Sequence, residues 1–417
     1  MGAQEVGATI GARPMENRPA RETTREGLMP SHKDVDPVSL SELERRLDLV
    51  LREMRQQDIG VSIITTPDDI YYLSGYYTRA MTSVTALIVP AAGKPFLVTR
   101  QSDEGNYLKI SDRTTAAEFI AFGDDELADS LPIIGRLALE RRSHGRVGIE
   151  QDGIFISPAQ FAKLTTTLGG TEAVEIGSFL SAQRLIKSAW EIACHRSAAR
   201  TTVQGMRAGI AAIEPGVFDS DVAAVVASEM VRGGEWAATW PIILTGAQTG
   251  RAHSSWQGDA IAAGSPTTLE FSAARHRHHS PLYRTVIYAP NDEQRRFSEA
   301  VATAHKAQLA QMRPGARACD VWEAMRAAME RFGIVQSPKG RVGYTVGIGF
   351  PPNWVQRNAI DLMRGNTAEL RPGMVFHVFA SVGQKNVFSI VHSATVVVTE
   401  DGHEVLTVDG LDGPLLK

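Results

Sequence analysis

The sequence predicts two domains of different architecture: an α/β unit over residues 39–184, preceded by a flexible arm over 1–38, and an α+β unit over 185–417. Three observations carry this expectation. A chain of 417 residues holds two or three domains at about 150 residues each, and 43% apolar side chains are enough to fill their cores. Short β-rich runs alternate with helical runs in the first half, the order of an α/β domain. In the second half strands precede helices twice over, the order of an α+β domain.

Residues 1–38 mix Gly, Arg, Glu, Thr and Pro without hydrophobic periodicity. Such a stretch buries too little apolar surface to offset its ordering entropy, so it is expected to be mobile or draped over the surface. Ser39 and Glu42 have capping-box spacing ahead of Leu40, Leu43, Leu47, Val50, Leu51 and Met54, which predicts an amphipathic helix. Strands are expected over 61–65, 83–89 and 95–99, then a helix over 128–142 and a strand over 147–150. A long helix over 188–207 opens the second half. Beyond it come strands over 242–245, 267–272, 283–288, 375–379 and 390–399. These enclose a helix after Asn291, which has a cap-like partner in Gln294, and another over 318–332. Asp401-Gly402 marks a turn between two strands.

With 43 basic and 47 acidic side chains the net charge is −4. No basic stretch is dense enough to follow a phosphate backbone, so nucleic acid is not an expected partner. The two cysteines, Cys194 and Cys319, form neither a disulfide framework nor a CxxC knuckle, which favours a reducing compartment. No run approaches the ~18 apolar residues of a membrane span and no signal-peptide core is present, so the expected location is cytoplasmic. P-loop, dinucleotide-binding, HExxH and GxSxG motifs are all missing from the sequence, which weighs against nucleotide, zincin and serine-hydrolase chemistry.

Most of the unusual chemistry lies in the second half. In TTLEFS, alternation puts Leu269 and Phe271 on one strand face and Glu270 on the other, either solvated or in use, because an idle buried carboxylate is costly. AARHRHHSPLYRT gathers His276, His278 and His279 with Arg275, Arg277 and Arg284, as a wet turn or as an anion site. His253 follows a strand and a glycine-containing loop, where binding residues collect. GYTVGIGFPPNW, from Gly343 to Trp354, has three glycines and a Pro-Pro pair that fix a tight backbone beside an aromatic, in a structural or a binding loop. His377 sits between Val375 and Phe379 on one strand face, as a core histidine or a functional one.

Taken in order, RLIKSAWEI, LTG…AH, LEF, SPLYRT, GY…G, PGMVFHV and VVVTEDGHEVLT resemble the C-terminal domain of the pita-bread superfamily. That superfamily includes methionine aminopeptidase, prolidase, creatinase and ectoine hydrolase. The resemblance implies an α+β C-terminal pita-bread domain preceded by a smaller creatinase/prolidase-type α/β domain, and a homodimer. Metallopeptidase members hold two metals through two Asp, one His and two Glu. Those positions fall here on Glu270, Pro281, Tyr344, Phe379 and Ser393. Proline and phenylalanine offer no donor, so the resemblance implies neither the peptidase metal centre nor any other cofactor. Creatinase is a metal-free branch that uses a histidine at the position of His253. Its two guanidinium-binding glutamates match Tyr283 and Phe379, which disfavours creatine. Ectoine hydrolase is nearer, through Glu270, the run from His279 to Thr285, and the GY-x-x-G and PP-x-W segments.

The expectation that follows is a metal-independent hydrolase of a C–N bond in a small zwitterionic cyclic amidine or amide. Glu270 is the nucleophile or base and His253 the acid/base, with His279 second. Tyr344 and His377 hydrogen-bond the tetrahedral centre, Tyr283 and Trp354 contact the substrate, and Arg79, Arg284 or Arg357 grips a carboxylate. Two alternatives stand beside it. One is an Xaa-Pro peptidase-like protein with a mononuclear metal held among His253, His279, His377 and His392. The other is an inactive homologue that has kept a small-molecule pocket.

Overall fold

The computed structural model of the chain describes residues 34–80, 83–124, 129–335 and 340–417. Most of the predicted arm falls outside them. Residues 34–38 are draped along the C-terminal half, where Asp34 accepts a hydrogen bond from Ser197 and pairs with Arg200, and the Val35 carbonyl accepts from Arg275 at 3.0 Å. Ser39 caps the helix Leu40–Gln56 by accepting from the Glu42 N–H at 3.2 Å. The Glu42 carboxylate turns to Arg45 and Arg46 instead of back to the cap, so only half of the capping box forms.

The N-terminal half is built on a six-stranded mixed sheet. Its strands are β1 (Ile59–Ile64), β2 (Ala86–Pro90), β3 (Phe96–Arg100), β4 (Glu118–Phe122), β5 (Arg146–Ile149) and β6 (Ala173–Glu175), in the order β4-β3-β2-β1-β5-β6. Helices Ser130–Arg141 and Pro158–Thr167 cover one face, and Leu40–Gln56 and Pro67–Ser74 cover the other. The predicted start of the first of these, at residue 128, lies outside the described residues. β4, β6 and the helices Pro67–Ser74 and Pro158–Thr167 were not anticipated. Each is short and takes its stability from packing rather than from an extended periodic pattern.

The C-terminal half opens with the helix Ala189–Ala212, whose capping box joins Ser188 and Glu191. An unanticipated helix, Asp219–Arg232, packs on it through Val222, Val226 and Met230, spaced four apart. A four-stranded sheet of β7 (Ile242–Thr245), β8 (Pro266–Phe271), β11 (Leu282–Ile287) and β17 (Leu415–Leu416) lies against these helices. Between β8 and β11 run β9 (Ala274–Arg275) and β10 (His278–His279). They belong to a second sheet with β12 (Gly343–Phe350), β13 (Asn353–Val355), β14 (Val375–Gln384), β15 (Phe388–Val398) and β16 (His403–Val405). Helices Asp292–Gln311 and Ala318–Glu330 pack on this second sheet. The Asn291–Gln294 capping box and the turn between β15 and β16 form as the sequence predicts.

Two sequence expectations need correction. Residues 343–350 form a fully buried strand, not a loop. Their glycines serve close packing: a Cβ at Gly343 would lie 2.7 Å from the His377 carbonyl oxygen, and one at Gly349 would lie 2.9 Å from the Trp354 Cα. The His/Arg cluster is not a wet turn either, since Arg277, His278, His279 and Arg284 are all buried. Its turn at His276-Arg277 has two positive φ angles and is held by Glu235, which accepts both backbone N–H groups. Arg277 stacks over Trp236 and Phe350.

The two halves are joined by a buried charged seam. Arg184 bonds Asp69 at 2.9 Å and the Ile348 carbonyl at 2.9 Å. Arg357, which follows β13, bonds Asp69, Glu150 and Asp152. Glu150 also accepts from the backbone N–H groups of Thr65 and Thr66.

Candidate active site

Strand alternation decides what faces the site. On β14, Phe376, Val378 and Ala380 enter the helix-side core, while His377, Phe379 and Ser381 point the other way. On β8, Leu269 and Phe271 face the helices and Glu270 faces away from them. Those opposite faces bound a cavity of about 800 Å³, completed by the loop that carries His253. Glu270, Tyr283, Tyr344, Trp354 and His253 all line it, so the structure brings these predicted residues together.

Glu270 is partly buried and stands opposite Tyr283 in the β8–β11 ladder. Among the described residues it has no hydrogen bond or ion pair. Burial pushes its pKa up to about 7, against a smaller downward pull from Arg341. The carboxyl group is therefore poised between acid and base near neutrality. His253 lies on an exposed turn at the cavity wall with a φ of 60°. A residue with a Cβ holds that left-handed conformation only at a cost.

Behind the wall runs a chain of polar groups. The Trp354 indole N–H donates to the Tyr344 hydroxyl at 3.0 Å, and His377 Nδ1 lies 3.1 Å from the same oxygen. His377 Nε2 lies 2.8 Å from the Ser393 hydroxyl, which accepts from the Tyr283 N–H at 2.7 Å. His377 is thus a layer behind the cavity, in contact with it through Tyr344. Burial pushes its pKa down to about 3.

Four predicted site residues are elsewhere. His279 is fully buried; its Nε2 accepts from the Ala238 N–H at 3.0 Å, so its Nδ1 carries the proton and donates to the Arg277 carbonyl at 2.8 Å. With both nitrogens engaged it serves the fold. Arg284 is buried in a bidentate pair with Asp409, at 2.6 and 2.9 Å. Arg357 belongs to the seam. Arg79 is exposed over Trp236, beside a neighbouring cavity. The cations that do line the main cavity are Arg341, Arg251 and Lys385, none of which the sequence reading singled out. Arg341 pairs with Asp361 at 3.0 Å and lies 4.2 Å over the Tyr344 ring. Its one sequence signal is its place just ahead of Gly343-Tyr344.

The side chains present do not fit a two-metal centre. Of the five positions matched to metal ligands, only Glu270 offers a carboxylate to the cavity; Tyr344 and Phe379 line the wall, and Pro281 and Ser393 are buried. Among the described residues no three His, Cys, Asp or Glu side chains form a group that could hold a metal ion. The mononuclear set fails as well, because the ring nitrogens of His279 and His377 are already engaged.

An α/β sheet domain joined to a helix-backed, strand-lined cavity is the two-domain architecture of the creatinase and prolidase kind. The chain belongs to the pita-bread superfamily: residues 46–186 match the creatinase/prolidase N-terminal domain, and residues 193–400 match metallopeptidase family M24. It is 29% identical to an uncharacterized hydrolase/peptidase of Sinorhizobium fredii over 91% of this chain and 98% of that protein. It is 26% identical to the ectoine hydrolase of Halomonas elongata over 89% of this chain and 96% of that protein. A prolidase from Thermococcus sibiricus shares the fold with a TM-score of 0.78 at 19% identity, covering 90% of this chain and 98% of that one. Among the described residues no helix is long and apolar enough to cross a membrane.

Proposed function

We propose that the protein is a metal-independent hydrolase of a C–N bond in a small cyclic amidine or amide that carries a carboxylate, with ectoine the first substrate to test. The observation that carries this reading is Glu270: a carboxyl group unpaired among the described residues, with its pKa raised to about 7, in a cavity whose other ligand-matched positions offer no carboxylate or imidazole. Glu270 attacks the substrate carbon or takes a proton from the water that does. His253 delivers a proton to the departing nitrogen, so one C–O bond forms as the C–N bond breaks. Arg341 takes the place assigned from sequence to Arg79, Arg284 or Arg357 and binds the substrate carboxylate. The likeness to ectoine hydrolase supports this substrate class.

The test is ring opening of ectoine and hydroxyectoine, followed by mass spectrometry with and without EDTA, with creatine and an Xaa-Pro dipeptide as comparison substrates. EDTA-resistant ring opening is the expected result. Chelator-sensitive cleavage of the dipeptide establishes the peptidase reading, and tight binding without turnover establishes an inactive homologue. The resemblance to paired relatives further leads us to expect twice the chain mass by light scattering.

A further inference from the structure

The polar chain behind the cavity wall has a direction. Two of its members can only donate: the Trp354 indole N–H at one end and the Tyr283 backbone N–H at the other. Ser393 accepts from Tyr283 and is fully buried, and His377 Nε2, at 2.8 Å, is the acceptor within reach of its own hydroxyl proton. If Ser393 donates there, His377 carries its proton on Nδ1 and donates to Tyr344 at 3.1 Å. The Tyr344 oxygen then accepts twice, from Trp354 and from His377. Its own proton is left to point to the open side, the cavity it lines together with Glu270.

The reverse arrangement places the proton on Nε2 and turns the Tyr344 hydroxyl toward Nδ1. It strands a buried Ser393 hydroxyl without an acceptor and is disfavoured by roughly tenfold or more. An imidazolium is excluded by burial, which holds the His377 pKa at about 3. Burial also raises the Tyr344 pKa, with Glu270 adding to the rise, so the phenol keeps its proton.

We propose that Tyr344 is the hydrogen-bond donor of this site, its proton aimed at the substrate nitrogen or oxygen that gains the electron pair when the carbon beside Glu270 is attacked, and that His377 and Ser393 are the positioning residues that set its direction. The role rests on the C–N hydrolase reading, whereas the direction of the chain does not. No covalent step passes through Tyr344: the hydroxyl donates a hydrogen bond that strengthens as charge builds on the substrate atom. The arrangement places a fixed donor where metallopeptidase relatives would need a ligand, which suits a site that works through hydrogen bonding.

Two measurements on the full chain test it. With 15N-labelled histidine, NMR reads the His377 tautomer without any substrate, the resonances being identified by their disappearance in His377→Gln. The expected state is neutral with the proton on Nδ1 from pH 6 to 9, shifting to a mixture in Ser393→Ala. A proton on Nε2, or a tautomer indifferent to Ser393→Ala, overturns the proposal. Kinetics with ectoine as the probe supply the second readout. Tyr344→Phe should lower kcat about a hundredfold with KM within about twofold. Ser393→Ala should lower kcat about tenfold, and Ser393→Thr, which keeps the hydroxyl, should restore it. A Tyr344→Phe enzyme with wild-type kcat overturns the role. If the wild-type protein leaves ectoine untouched, the substrate assignment fails, and the tautomer measurement still decides the direction of the chain.

Discussion

Replacing Glu270 by Gln should stabilise the protein, and only above about pH 5. The carboxyl group has no cation to leave behind, since Arg341 is already paired with Asp361. Its pKa is raised from 4.5 to about 7 by burial. The folded chain therefore holds this proton to higher pH than the unfolded chain does. Stability is fully present below about pH 4.5 and is lost as pH rises through about 7, the reverse of a salt-bridged carboxylate. The displacement corresponds to at most about 3 kcal/mol, and cavity water reduces it to about 1–3 kcal/mol. Gln does not ionise, so urea unfolding of the two proteins should coincide at pH 4 and separate by that amount at pH 8, with the variant more stable. Turnover should fall by roughly a hundredfold, as for loss of a general base or nucleophile. A stability difference that ignores pH, or a variant weaker than wild type at pH 8, would refute the reasoning and make Glu270 a structural partner of Arg341.

Other changes follow from the same geometry. Arg341→Gln should weaken ectoine binding by about tenfold or more in titration calorimetry, whereas Arg79→Gln should stay within about twofold; equal losses would return Arg79 to the site. Arg357→Ala leaves Asp69 and Glu150 buried without their shared cation and should cost about 3–5 kcal/mol in urea unfolding, so a loss under about 1 kcal/mol would contradict the seam. His279→Leu strands the Ala238 N–H, while the Arg277 carbonyl keeps its bond from the Gly349 N–H, and should cost about 1–3 kcal/mol, with kcat of the folded fraction held within about threefold. A hundredfold fall in that kcat would restore His279 to catalysis.

The sequence revealed elements wherever periodicity and caps agreed. The helix Asp292–Gln311 starts where its cap predicts, and the strands β7, β8 and β15 lie within a few residues of their expected limits. β12 was hidden because glycine weakens a strand by propensity, and only the neighbouring His377 and Trp354 backbones show why it is needed there. The convergence of Glu270, His253 and Tyr344 was legible because ordered motifs resembled a known site. Which arginine faces the cavity was not legible. Arg284, Arg341 and Arg357 look alike in sequence, and they differ through Asp409, Asp361 and Asp69, partners that only the folded chain brings near. The tautomer chain was hidden for the same reason, since Ser393 gains meaning only beside His377 and Tyr283.

The seam also governs how a molecule can reach Glu270. The wall segment that carries Trp354 is fastened at one end to β12 and at the other by Gln356 and Arg357, which grip Ser181, Asp69 and Glu150 in the N-terminal half. A wall pinned at both ends cannot swing outward unless several buried ionic contacts break together. Traffic into the cavity is therefore routed past the exposed turn of His253 and the rim residue Lys385 rather than through a parting of the domains. Arg251 and Lys385 stand exposed on that rim while Glu270 is partly buried, so an anion entering there meets two cations before the carboxyl group, and charge selects molecules before shape does.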